Sequence, residues 1–579
     1  MLQQNIRGKG KRSFILPASI TAAISGVLTG LTVSYILPSV LEWITLAPFV
    51  FTLFKYAYTG KDKGWRFVRR TLLLGFSYFY PYYLTVFHWL LSLYPLEFTG
   101  LTKGDAAVVV LVSWLGLSLL QAVVSMFLSP IFAFMLRLRP LSQHGGTSPS
   151  LLTPLYFGAL YIIFEWMQTL TWAGVPWGRL AIGQAFLPSL IQTAALFGSY
   201  AVSFAIAATG AAIALAAYRF ICPPAENKSK ASKDVSQPQS NVSPRMTRAF
   251  SAAALALLIF LSNMLISTVV YCLRQDDPGD RRISVGVMQG NVSSKEKWNN
   301  KNYNRLMDIY GDLTKKAASE GADIVLWSET ALPYYINSKN NKALYKSLED
   351  LSKESGVIIF VGTFWREDSA YKESALEYNV IIQVTPDDGI ITDNIYYKRR
   401  LVPFGEFIPL QKFIEAVVPP LADLVMTKDP IYPGVDSAIH ITPYGKIGSL
   451  ICFDSIYENL SVNTVRDGAE VIAISTNDSW FDGTVALRQH VAQAVLRAVE
   501  TDRYIVRSAN TGISCVISPG GDVLSATENG ERTYFVFNVA PRNTETLYAK
   551  TGNVIIATSA VVYVATLVCA LIFRLRNNA

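Results

Sequence analysis

The chain has 579 residues, 51% of them hydrophobic and 16% charged, with a net charge of +8. A positive mean hydropathy of this kind excludes a purely soluble enzyme and assigns a large part of the chain to lipid. The cations are split among separate loops, which excludes a nucleic-acid patch as the source of the net charge.

Taken in chain order, stretches apolar enough to cross a hydrocarbon core of ~30 Å are predicted at Phe14 to Tyr35, Val40 to Phe54, Thr71 to Tyr94, Ala106 to Leu136, Leu151 to Met167, Ser199 to Ala217, Phe250 to Cys272 and Val554 to Phe573. The first reads as an uncleaved anchor, because it is long, lacks a small-x-small cleavage site and is followed at once by another span. Gly26 and Gly30 form a small-xxx-small pair in it, which implies close helix packing. Glu165 is the prominent carboxylate within a span, where such groups are rare.

Arg7, Lys9, Lys11 and Arg12 precede the first span, Lys61 to Arg70 follow the second, Arg137 and Arg139 the fourth, Arg219 the sixth, and Arg574 and Arg576 the last. Cationic loops stay cytoplasmic, so both termini are expected there and the segment from Arg274 to Lys550 outside. The organisation expected is a membrane domain at 1–272 with seven helices and a disordered cytoplasmic linker at 223–247, an external domain at 273–550, and a last helix and tail at 551–579. The linker is assigned from its Pro, Ser, Lys, Gln and Asn content.

The external segment alternates short β-branched runs with amphipathic helical patterns. Strands are predicted near Ser284–Gln289, Asp323–Trp327, Val357–Val361, Val380–Val384, Ile447–Cys452, Val471–Ser475, Ile505–Ser508, Ile513–Ser518 and Tyr534–Val539, and helices over Tyr303–Ser319, Ala343–Glu354 and Val485–Thr501. Strands apolar on both faces need cover on both sides, hence a layered α/β domain.

Of five cysteines, Cys222, Cys272 and Cys569 belong to membrane or cytoplasmic segments, which leaves no disulfide framework. Cys515 reads as a small core residue. Cys452 differs: it ends the apolar strand predicted at Ile447 to Cys452 and is followed by Phe453 and Asp454, the placement of a strand-end nucleophile. A thiol needs a base, and acyl transfer needs donors for the oxyanion. His440 and His490, the external histidines, stand in no Cys-His signature, whereas Glu329 ends an apolar strand and Lys398 stands in the block Tyr396 to Glu406. Glu as base, Lys as electrophile and Cys as nucleophile is the set on offer.

Trp327-Ser-Glu329-Thr-Ala-Leu-Pro, Tyr397-Lys398-Arg-Arg-Leu-Val-Pro-Phe-Gly-Glu406 and Ile451-Cys452-Phe-Asp454 resemble the Glu, Lys and Cys blocks of the nitrilase (carbon-nitrogen hydrolase) superfamily. With Met288-Gln-Gly-Asn291, Lys297-Trp298, Ser475 to Phe481, Arg503 to Gly512 and Gly174-Val-Pro-Trp177, the resemblance narrows to the apolipoprotein N-acyltransferases and spans nearly the whole chain. It implies an αββα external domain on an eight-helix bundle in a bacterial inner membrane. It implies a monomer without metal or cofactor that moves an acyl chain from a phospholipid, through a Cys452 thioester, to the α-amine of a diacylglyceryl-modified cysteine on an apolipoprotein. Glu329 would accept protons, Lys398 would stabilise the oxyanion, and Glu406 would assist it. Trp298 and Trp480 would line a substrate pocket.

Where enterobacterial relatives carry Tyr and Glu after the nucleophile, this chain has Phe453 and Asp454, losing a hydroxyl and one methylene. The apolar stretch from Phe407 to Met426, with Phe413 and Leu421, reads as an arm dipping into the membrane surface to gate lipid. Two alternatives stand beside this reading. A membrane-anchored amidase would use the same triad with water as acceptor. A transporter or scaffold would need no Glu-Lys-Cys set and would more often carry paired intramembrane charges.

Overall fold

The computed structural model describes residues 15–578 apart from 36–38, 97–100, 139–141, 144–147, 172, 223–243, 275–280, 299–301, 369–374, 418–430 and 482. Helices stand at all eight positions where spans are predicted: Ile15–Tyr35, Ala47–Thr59 continuing the turns from Ser39, Gly64–Val86, Lys103–Ser125 with Leu128–Leu136, Thr153–Met167, Ser199–Ile221, Pro244–Leu273 and Val554–Asn578. Five of these segments are both long and apolar enough to cross a membrane. Gly64–Val86 carries Arg66, Arg69 and Arg70 in its first turns, and Thr153–Met167 has only 15 residues.

Ile15–Tyr35 packs against Gly64–Val86 through its glycines. A Cβ on Gly26 would lie 2.1 Å from the Tyr78 carbonyl oxygen, and one on Gly30 would lie 2.7 Å from Thr85 Cβ, so only hydrogen lets these backbones meet. The predicted linker is shorter at its end than the sequence suggests, because Pro244 opens a helix, where its fixed φ and missing N–H cost nothing; the rest of it lies outside the described residues. Glu165 is buried and accepts from the Leu180 N–H at 2.9 Å. A second buried carboxylate, Glu42, accepts from Gln184 Nε2 at 2.7 Å.

The external half contains two sheets. One runs Val523–Ala526, Cys515–Ile517, Ile505–Ala509, Val471–Thr476, Lys446–Ile451, Ile439–Ile441; the other runs Thr533–Val539, Ile283–Gln289, Ile324–Leu326, Ile358–Glu367, Leu376–Thr385, Gly389–Tyr397, with Leu332–Tyr335 also on Ile358–Glu367. Their central strands are parallel and buried along almost their full length, as continuous Val, Ile and Leu runs require. The sheets face each other: Ser475 Oγ donates to the Trp327 carbonyl at 2.8 Å and Ser508 Oγ to the Met288 carbonyl at 2.6 Å. Helices Tyr303–Ser319 and Lys342–Ser355 cover one sheet, and Glu458–Arg466 and Val485–Thr501 the other, completing four layers. Four strands and helix Glu458–Arg466 lie outside the sequence expectation; they are short or strongly mixed in polarity.

The second helical layer rests on the bundle through buried polar groups. Trp177 Nε1 donates to Gln489 Oε1 at 2.7 Å, Tyr457 hydroxyl to the Gly174 carbonyl at 3.2 Å, and Arg179 meets Glu458 at 2.5 Å. Phe481 packs edge-on to Trp89 and close to Trp177, so aromatic rings from both halves interlock beneath the site.

Candidate active site

Glu329, Lys398 and Cys452 each stand just beyond the carboxyl end of a strand, where the backbone leaves the sheet and side chains converge. Strand Lys446–Ile451 ends because Cys452 adopts φ +48° and opens a short 3₁₀ turn through Ile456. For a residue with a Cβ this left-handed conformation costs about 1–2 kcal/mol, and it aims the thiol out of the sheet.

The turn is held from several sides. Asp454 Oδ2 accepts from the Ile451 N–H at 3.1 Å and the Tyr396 hydroxyl at 2.8 Å, and Oδ1 accepts from the Arg400 N–H at 2.7 Å. Tyr396 and Arg400 flank Lys398, so the shortened carboxylate ties the nucleophile turn to the lysine segment. Burial pushes the Asp454 carboxyl up, with Lys398 and these donors opposing it. Phe453 is buried edge-on against Tyr457, where a phenol would gain nothing from the ring contact.

Glu329 reaches its place through a tight turn, with Thr330 at φ +44°. Gly362 lies beneath it: a Cβ there would sit 2.3 Å from the Ser328 carbonyl oxygen and 2.8 Å from Glu329 Cα. Glu329 Oε1 accepts from Lys398 Nζ and from Asn379 Nδ2, both at 2.8 Å, and Oε2 accepts from the Asn477 N–H at 2.9 Å. Lys398 Nζ also donates to Glu406 Oε1 at 2.9 Å, and Asn379 Nδ2 reaches the same oxygen at 3.2 Å. Glu406 Oε2 accepts from the Val402 N–H at 2.8 Å, which fixes the carboxylate within its loop.

Burial alone would discharge Lys398, but the carboxylates of Glu329 and Glu406 outweigh it and hold the ammonium well above the ordinary lysine range. Burial pushes the Cys452 thiol up and Glu329 adds to that push, while Lys398 and Thr476 oppose it. The resting thiol is therefore neutral and needs a base at the moment of attack, with a fixed ammonium beside it.

The structure brings Glu329, Lys398 and Glu406 into direct hydrogen bonding, with Cys452 in their electrostatic field. Trp298 and Trp480 are half-buried, Trp298 tilted against Phe364 at 6.1 Å. Phe413 belongs to helix Gln411–Val417, its side chain outside the described part, and Leu421 lies outside the described residues.

Sequence reasoning assigned no role to several participants. Asn379 sits in mid-strand, accepts the Lys398 N–H at 2.9 Å through its carbonyl, and bridges both carboxylates through its amide. Lys297 Nζ donates to the Glu329 carbonyl at 2.9 Å. His490 sits behind the nucleophile: Nε2 is 3.3 Å from the Cys452 carbonyl and 3.1 Å from Ser455 Oγ, and Nδ1 is 3.0 Å from Asp478 Oδ1. Arg507 and His490 outweigh the burial of Asp478 and hold its carboxyl well below the usual range. The imidazole braces the turn's backbone, consistent with the absence of a Cys-His signature. Among the described residues no cluster of His, Cys, Asp and Glu could hold a metal ion.

Comparison with known proteins matches both halves. Residues 25–212 match the apolipoprotein N-acyltransferase N-terminal domain, and residues 284–549 match the carbon-nitrogen hydrolase family. The apolipoprotein N-acyltransferase of Geobacter metallireducens is 27% identical over 563 residues, 96% of each chain. That of Gloeobacter violaceus is 28% identical over 545 residues, 94% of this chain and 92% of its own. Among solved structures, Saccharomyces cerevisiae Nit3, of the nitrilase superfamily, aligns with a TM-score of 0.36 and 19% identity over 48% of this chain and 97% of its own. With both halves matched in order and full-length relatives aligned end to end, the chain belongs to the apolipoprotein N-acyltransferase family.

Proposed function

We propose that this enzyme acylates the α-amine of an N-terminal S-diacylglyceryl-cysteine, with a membrane phospholipid as donor and Cys452 as the carrier. The observation that carries the reading is the buried Glu329–Lys398–Glu406 hydrogen-bonded set, with the strained Cys452 turn in its field, built directly onto an apolar helical bundle. A hydrolase acting on soluble amides needs the first part and has no use for the second.

In the first half-reaction Glu329 takes the thiol proton as Cys452 Sγ bonds to the ester carbonyl carbon. Lys398 stabilises the oxyanion; the ester C–O bond then breaks and Glu329 returns the proton to the departing lysophospholipid oxygen. In the second, the free amine bonds to the thioester carbon, the C–S bond breaks, and the displaced amine proton restores the thiol. Asn379 and Asn477 keep the Glu329 carboxylate aimed through both steps. The cation distribution supports placing both termini in the cytoplasm and the catalytic domain across a bacterial inner membrane, and we assign the enzyme a monomeric working state.

The test is transfer by the purified chain in vesicles of phospholipid labelled in its acyl chains, supplied with a synthetic S-diacylglyceryl-cysteine peptide. The expected products are labelled peptide amide and lysophospholipid in equal amounts. Labelled free fatty acid with no peptide amide would replace this reading with the amidase one.

A further inference from the structure

Lys297 is a second lysine of the active site, and it is held very differently from Lys398. The loop that delivers it is pinned at its start to Asn510: Asn291, at φ +44°, donates its N–H to the Asn510 carbonyl at 2.8 Å, and Val292 exchanges hydrogen bonds with the Asn510 side chain at 3.1 and 2.8 Å. Asn510 also bonds Asn477 at 3.1 Å, the residue whose N–H holds Glu329. Lys297 is thereby fixed at 1% exposure with its amine 2.9 Å from the Glu329 carbonyl. Among the described residues that is the one hydrogen bond of the side-chain amine, and no carboxylate lies within ion-pair distance of it.

A buried lysine with no counter-ion is a costly structural device, since a leucine or methionine fills the same space without desolvating an amine. Among the described residues, the titratable groups that act on it are Glu329 and Cys452, with Lys398 and Glu406 one hydrogen bond further on. Burial pushes its ammonium down to about 7, against the weaker pull of Glu329 and Cys452. The two lysines are thus driven apart, one kept charged and the other near neutrality, which is the pattern of divided acid and base roles.

We propose that Lys297 is the proton acceptor for the acceptor substrate, taking a proton from the incoming α-ammonium so that the free amine attacks the Cys452 thioester. This rests on the acyl-transfer reading above. The α-ammonium loses one proton to the Lys297 amine; the resulting amine forms the C–N bond; the C–S bond breaks and the amine's second proton passes to Cys452. Lys297 then returns its proton to solvent. Glu329, with three donors on its carboxylate, is left for the thiol step.

The test separates the half-reactions. Full-length enzyme in phospholipid vesicles is first acylated on Cys452 and then mixed with S-diacylglyceryl-cysteine peptide, and the discharge rate is followed from pH 6 to pH 9. Lys297→Arg retains a cation and the donor to Glu329 but takes no proton; Lys297→Met lacks both. Both variants are expected to lose about tenfold in discharge at pH 7, where only about a tenth of an α-amine of ordinary pKa, about 7.7–8.0, is unprotonated, and to regain it above pH 8. Discharge by Lys297→Arg at the wild-type rate and pH profile would overturn the proposal, as would an equal loss at every pH, which marks a structural lysine. Absence of acyl-enzyme in the wild type would instead overturn the acyl-transfer reading itself.

Discussion

The Tyr396 hydroxyl donates to Asp454 Oδ2 at 2.8 Å, joining the strand that leads to Lys398 with the turn that bears Cys452. Because Asp454 also accepts from the Ile451 and Arg400 N–H groups, one carboxylate sets the distance between electrophile and nucleophile. Asp454→Ala strands two buried donors and one half-buried one, the buried ones costing about 1–3 kcal/mol each, and the Cys452 acylation rate is expected to fall at least tenfold. Asp454→Asn keeps one acceptor and is expected to lose less on both counts. Thermal unfolding in detergent and the rate of acyl-enzyme formation check this; a stable, fast Asp454→Ala would remove Asp454 from the account.

Arg179 of the helical half and Glu458 of the catalytic half are both buried, and Tyr200 adds a hydrogen bond to Glu458 at 2.8 Å. Glu458 opens the helix that follows the Cys452 turn, so the bundle grips the nucleophile's support. Arg179→Met leaves the buried Glu458 carboxylate with Arg497, 3.9 Å away, as its remaining cation and is expected to cost about 3 kcal/mol. The double variant Arg179→Met with Glu458→Leu is expected to recover most of that loss in thermal unfolding, and equal destabilisation by single and double variants would show that the pair is not coupled.

Glu329→Gln keeps the shape but takes no proton, and is expected to slow acylation about 10²–10⁴-fold. Lys398→Arg puts a planar fork between two carboxylates set around a compact ammonium, and about 10²-fold is expected to be lost. Cys515→Ala, in a fully buried strand away from the turn, is expected to stay within a few-fold of wild type. Single-turnover acylation measures all three, and near wild-type acylation by Lys398→Arg would reduce Lys398 to a structural charge.

His440 is fully buried edge-on against Phe360, with neither ring nitrogen hydrogen-bonded among the described residues, and burial holds its pKa down to about 3. Unfolded, the imidazole titrates near 6.5, so between those values the unfolded chain binds a proton that the folded chain refuses. Stability is full above about pH 6.5 and falls as pH drops toward 3, by of order 1 kcal/mol per pH unit from this group. His440→Phe is expected to flatten that part of the unfolding curve between pH 6 and pH 4, and an unaltered slope would assign the acid sensitivity elsewhere.

Glu329 and Cys452 were legible because each ends a recognisable apolar strand, whereas Lys398 and Glu406 were legible through their shared block Tyr397 to Glu406, since the strand Gly389–Tyr397 before them is mixed in polarity. The bundle was legible for a similar reason, since span length and loop charge are local properties. The roles of Asn379, Lys297, Asn477 and His490 were not, although Lys297 and Asn477 stand in motif blocks, because what makes them functional is sheet pairing and long-range hydrogen bonding, as in the 218-residue separation between Val292 and Asn510. An asparagine in mid-strand or a lysine in a polar loop carries no periodic signal. Asp454 was visible but its role was not: its partners Tyr396 and Arg400 lie 58 and 54 residues away.

The central claim is that Cys452 carries an acyl group taken from phospholipid. Purified enzyme incubated with phospholipid vesicles and no acceptor, then digested and weighed by mass spectrometry, tests it most directly. The account predicts a fatty-acyl mass on the Cys452 peptide that neutral hydroxylamine removes and that the S-diacylglyceryl-cysteine peptide discharges. An unmodified Cys452 peptide alongside released lysophospholipid, or an acyl mass on another residue, would contradict it.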